Sequence, residues 1–201
     1  MCTLIVRTGA HLLWRAPAKL SVGVLPALLL AAMISHSPRA SAQQPPPVDA
    51  RIVRLAQQAE TDLHNQRPDL AAAKYQEILA LDPKNVNAQS NLGLADYLQG
   101  EFAPAADEFK IALAAKPDLW NIAALCGLSE ARTGKNTDAT AHLDLAFQHV
   151  DEPSLRLSVG QQLFTILLQA GELVRAAAVV DRLEQLDPGN VDVLYAAHLV
   201  Y

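Results

Sequence analysis

From residue 52 onward, apolar positions recur at intervals of three and four, as in Tyr75, Ile78 and Leu79. No stretch alternates with the period of two that a half-buried strand requires. The pattern predicts helices throughout this region and no sheet. Residues 1–42 follow another rule. Their charges are all positive, at Arg7, Arg15, Lys19 and Arg39, and an apolar run fills residues 20–34 before a small-residue segment ends in Ala40-Ser41-Ala42. A basic start, a short apolar centre and an Ala-x-Ala site predict a secretory signal peptide cut after Ala42. The run is about 15 residues and contains Pro26, short of the roughly 20 that a spanning helix needs. Retention as a membrane anchor is the alternative. Membrane contact is expected only through this segment, before cleavage, and the mature chain is expected to be periplasmic or secreted. Residues 43–51, opening Gln43-Gln44-Pro45-Pro46-Pro47, are expected to be an extended linker.

The remaining chain repeats itself. Gly93 recurs as Gly127, and Gly100 as Gly134, each at a step of 34. Ala71, Ala105 and Ala139 also step by 34, as do Pro83 and Pro117; Gly171, Ala176 and the Asp151-to-Pro188 slot follow after 37. The longer step predicts a three-residue insertion near residues 153–155. A fixed period of this length marks a solenoid of helix pairs that bury their apolar faces only by stacking.

This pattern resembles the tetratricopeptide repeat. Residues 86–119 carry it best, with Leu92-Gly93, Gly100, Phe102, Ala105, Phe109, Ala112 and Pro117. The units are placed at about 52–85, 86–119, 120–153 and 157–190, with a partial unit at 191–201; the fourth puts Phe164 where a small glycine is expected. The resemblance implies an all-α, right-handed α-solenoid of about four helix-turn-helix units plus a trailing helix. Small residues at Gly93, Gly127, Ala105 and Ala139 would let the paired helices approach. Gly100, Gly134 and Gly171 would form the turns in the left-handed conformation.

Composition narrows the function. Sixteen basic residues face 21 acidic ones, a net charge of −5, and removing residues 1–42 leaves 12 against 21, or −9. An acidic chain without a basic run does not suit nucleic acid. Neither a metalloprotease helix, a nucleophile elbow nor a phosphate loop occurs in the sequence, so no enzymatic activity and no cofactor is expected. His142 and His149 stand seven positions apart on one predicted helix, about 10.5 Å, too far for one ion; Asp138 with His142 would give only two ligands. No metal site is expected, and Cys126 reads as a small buried hydrophobe.

The resemblance places binding in a concave groove lined by the first helix of each unit. Its positions are Asn87, Ser90, Leu94, Tyr97 and Leu98, then Asn121, Ala124, Leu128, Ala131 and Arg132, then Ser158, Gln161, Thr165, Leu168 and Gln169. The site residues chosen are Leu94, Tyr97, Leu98, Leu128, Arg132, Gln161 and Leu168. Ala56 and Glu60 stand where some family members clamp a carboxylate, so that clamp is not expected here. The expected occupant is a protein or extended peptide, its backbone held by Asn and Gln; the alternative is another part of the same protein. The leading expectation is therefore an exported non-catalytic scaffold. The rival is an amino-terminal module of a longer exported enzyme or assembly factor. Trp120 reads as packing between units or as a partner contact. The last helix, from Val191, is apolar on most sides and charged only at Asp192, which predicts self-association or burial by further chain.

Overall fold

The computed structural model describes residues 47–200. The signal segment, its cleavage site and residues 43–46 of the linker lie outside the described residues, as does Tyr201. Among those described, every element is a helix: α1 (Val48–His64), α2 (Pro68–Leu81), α3 (Val86–Gln99), α4 (Phe102–Ala115), α5 (Trp120–Arg132), α6 (Asn136–His149), α7 (Pro153–Gln169), α8 (Leu173–Leu186) and α9 (Val191–Val200). The first helix begins at Val48, so the linker is shorter than the composition suggested. None of these helices is long and apolar enough to cross a membrane.

Each helix packs against the next, and the odd-numbered helices also touch, α3 on α5 and α5 on α7. The result is an all-α solenoid of stacked pairs, with the first helix of each pair in the inner layer. Two turns repeat along it, and both are written in local sequence. Within pairs, Gly100, Gly134 and Gly171 take φ of 82°, 75° and 75°. Each such turn closes by the same two bonds, as Gly134 N–H donates to the Ala131 carbonyl at 3.1 Å and Lys135 N–H to Glu130 at 2.9 Å. The first pair makes this turn with Gln66 at φ 58°, a conformation that costs any residue carrying a Cβ. Between pairs, Asp82-Pro83-Lys84-Asn85 ends α2 and starts α3. Asn85 donates its amide to Asp82 at 3.1 Å and accepts from Ala88 N–H at 3.0 Å, capping the new helix. Asp187-Pro188-Gly189-Asn190 repeats the device before α9.

Close approach within pairs needs glycine at one slot. A Cβ on Gly93 would stand 2.8 Å from the Phe109 ring, and one on Gly127 would stand 2.7 Å from Leu143 Cγ. The fourth pair corrects the sequence alignment. Its small residue is Gly160, whose Cβ would meet Leu183 and Phe147 at 2.6 Å, and not the Phe164 slot. Gly93, Gly127 and Gly160 are each the eighth residue of their helix. The fourth unit therefore starts at Pro153, not 157. The added length lies after Gly160, in an α7 of 17 residues against 13 in α5. Four extra residues are close to one helical turn, so the inner face keeps its direction.

Candidate functional site

A concavity of about 800 Å³ opens on the inner layer at the amino-terminal ends of α3 and α5. The 34-residue period builds its wall, because Val53, Asn87 and Asn121 occupy the same slot in successive units and all three line it. Ala56 and Ser90 repeat one turn further along. The loops before α3, α5 and α7 complete it with Asn85, Asp118 and Glu152. Tyr75 and Ile78 of α2 reach through from the outer layer to form the floor.

Two polar atoms there lack partners. Ser90 is 7% exposed and its Oγ has no hydrogen bond, although a helical serine can usually turn back to a carbonyl, as Ser129 does to Leu125 at 2.7 Å. The Tyr75 hydroxyl is buried and also unbonded; the Asn91 amide lies beside it without closing a bond. Burial, and next the charge of Glu60, push the Tyr75 phenol above its ordinary value, so it remains a donor. Buried polar groups without partners are uncommon and point to a ligand or ordered water. Trp120 forms one wall, stacked on His149 with ring centroids 4.3 Å apart.

The seven chosen groove residues do not form one surface. Tyr97 packs edge-to-face on Phe102 at 5.4 Å, and the Arg132 guanidinium covers the same ring at 5.4 Å, so these two make an aromatic–cation patch. Leu98 is 55% exposed. Leu94 is half-buried, and Leu128 and Leu168 pack against the carboxyl-terminal core. Gln161 and Leu168 line a second groove, about 400 Å³, whose other wall is α9 with Val193, Tyr195 and Leu199. None of the seven lines the larger groove. Sequence reading favoured the carboxyl ends of the inner helices, whereas the loops deepen the amino ends. The available signal was the Asn87–Asn121 step.

One buried cluster escaped the sequence reading. Glu130 on α5 is wholly buried, ion-paired with Lys110 of α4 at 2.8 Å and hydrogen-bonded to His142 of α6 at 2.7 Å. Cys126 Sγ lies 3.8 Å from the same His142 Nδ1. Thiol, carboxylate and imidazole atoms all fall within 4.8 Å, a spacing compatible with a metal ion. The Lys110 ammonium, however, already neutralises the carboxylate, and burial followed by the Glu130 charge pushes the thiol up to about 12. A thiol held protonated is a poor metal ligand. The cluster instead ties α4, α5 and α6 together. Asp62 plays the same part in the first pair, bonded to Arg67 and, at 2.5 Å, to Lys74.

Residues 57–119 match the tetratricopeptide repeat family. No curated protein matches the chain in sequence. In structure it is similar to YrrB, described as a TPR protein with an unusual peptide-binding site. Identity is 21% over 75% of this chain and 76% of that one, with a TM-score of 0.67. It is similar also to MamA, at 16% identity, 76% and 82% coverage and a TM-score of 0.69. PilF of Pseudomonas aeruginosa follows at 19% identity, 76% and 68% coverage and 0.60. The tetratricopeptide repeat signature of residues 57–119 and the fold similarity over the described units agree in what they resemble.

Proposed function

We propose that this chain is an exported, non-catalytic scaffold whose amino-terminal inner groove holds an extended segment of a partner protein. The observation that carries the reading is the pair of buried, unbonded hydroxyls, Ser90 and Tyr75, in a groove lined by repeated amides. An extended peptide has a free carbonyl and N–H at every residue, and Asn87, Asn91 and Asn121 can answer both. The peptide-binding description of YrrB supports the same use of the fold. Export rests on the composition of residues 1–42, and intact mass of protein secreted by a bacterial host tests it: a mature chain starting at Gln43 is expected, and a mass retaining Met1 would refute it. Self-association is proposed for α9, where Val191, Leu194 and Tyr195 are 76%, 51% and 64% exposed.

The groove reading is tested by display of extended peptides against the full chain. The double variant Asn87→Ala/Asn121→Ala is expected to keep its helical spectrum and lose about tenfold in affinity, the effect of one or two lost hydrogen bonds. Selected peptides that bind this variant as well as the parent would place binding elsewhere.

A further inference from the structure

The occupant of the groove can be specified further, on the assumption that the groove binds peptide at all. We propose that it takes a cationic segment, an extended peptide presenting a Lys or Arg side chain. The lining contains Glu60, Asp118, Asp151 and Glu152 and neither Lys nor Arg; His149 is its one basic group. Two of the four acids are already engaged. Glu152 accepts the Ser154 and Leu155 N–H groups and caps α7, and Asp151 lies 3.8 Å from Arg156. Glu60 and Asp118 form no ion pair among the described residues. They come from α1 and from the loop before α5, so the same carboxylate sign faces the groove from two elements.

Two features show a built site and not merely an acidic surface. The first is Ser90, a residue of the groove lining that is more than nine-tenths buried and whose Oγ has no hydrogen bond. The second is Trp120. It stacks on His149 and supplies aromatic surface to the groove lining, and aromatic rings attract a guanidinium or ammonium. Carboxylates and an aromatic wall select the same ligand charge, while an acidic peptide would meet like charge at Glu60 and Asp118. The second groove has aromatic lining in Phe164 and Tyr195 but a single charged residue, Asp192.

The test uses the full chain and three fluorescein-labelled peptides of one extended backbone that carry Lys, Gln or Glu at the variable positions. Fluorescence anisotropy should show the Lys peptide binding about tenfold tighter than the other two, with the advantage shrinking at high salt. Glu60→Gln/Asp118→Asn should remove about fivefold from the Lys peptide and leave the Gln peptide unchanged. Both positions are exposed, so thermal melting should match the parent. Equal binding of the Lys and Gln peptides, or preference for Glu, would overturn the cationic assignment while leaving the peptide groove standing. Absence of binding by all three would overturn both.

Discussion

Five polar side chains are buried between α1 and α5, namely Asp62, Gln89, Ser90, Ser129 and Glu130, whereas from α7 to α9 every buried side chain is apolar. The contrast is sharpest at one repeated slot. Glu130 of α5 and Leu163 of α7 stand three positions after the glycine of their helices, and both are wholly buried. Glu130 is held by Lys110 and His142; Leu163 packs among Phe147, Val180 and Leu183. The surfaces differ as well, since Val174, Val191 and Tyr195 near the carboxyl end are 87%, 76% and 64% exposed. Apolar packing is sufficient to stack helix pairs. Polar pins therefore add directional contacts between α4, α5 and α6 to that packing.

The largest expected effect follows from that slot. Glu130→Ala should cost about 3 kcal/mol in urea denaturation, because it leaves a cavity and removes the partner of Lys110 and His142. Glu130→Leu should recover most of the loss, as the neighbouring unit already uses leucine there. A variant Glu130→Leu as unstable as Glu130→Ala would show that the two regions are not interchangeable in packing. Next is the glycine slot. Gly160→Ala forces a Cβ within 2.6 Å of Leu183 and Phe147 and should cost about 2 kcal/mol. A silent Gly160→Ala would return the fourth unit to a start at 157.

Smaller effects separate the ends. Gln66→Gly should stabilise the first pair by about 0.5 kcal/mol, relief of the left-handed strain being partly offset by the entropy of glycine. The same turn in the other pairs already has its glycine. Asp62 gives the amino-terminal half a pH dependence of its own. The Lys74 hydrogen bond, with help from Arg67, holds the Asp62 carboxyl below its ordinary 3.8. Its contribution is thus complete above 3.8 and declines as pH falls through the lower folded value. Asp62→Asn should flatten the acid limb of the stability profile. Least of all should Leu194→Glu change stability, by under about 0.5 kcal/mol, since the residue is 51% exposed; light scattering should nevertheless show less self-association. Unchanged association would remove α9 from the interface.

Much of the fold was legible because its signals are local. The turn glycines, the Asp-Pro breaks and the small residues at Gly93 and Gly127 each act within one helix pair, and the period carries them along the chain. Misplacement of the insertion has an equally physical cause. One added helical turn returns every side chain to nearly the same face, so a step of 33 and a step of 37 both give a plausible inner surface. Only the contact of Gly160 with Leu183 and Phe147 chooses between them. That the larger groove lies at the other end of the inner helices likewise reflects walls supplied by the loops at Asp118 and Glu152, which no single-helix pattern contains.

The sequence by itself determined an all-helical chain, its 34-residue period, the turn chemistry and the acidic balance, since each depends on residues a few positions apart or on composition. Tertiary structure alone decided that Glu130 is buried against Lys110 and His142, that Ser90 and Tyr75 of the groove lining bury hydroxyls without partners, and that Glu60 and Asp118 border the groove together. Those relations join residues from different helices, and a side chain's environment is set by what the stack brings against it.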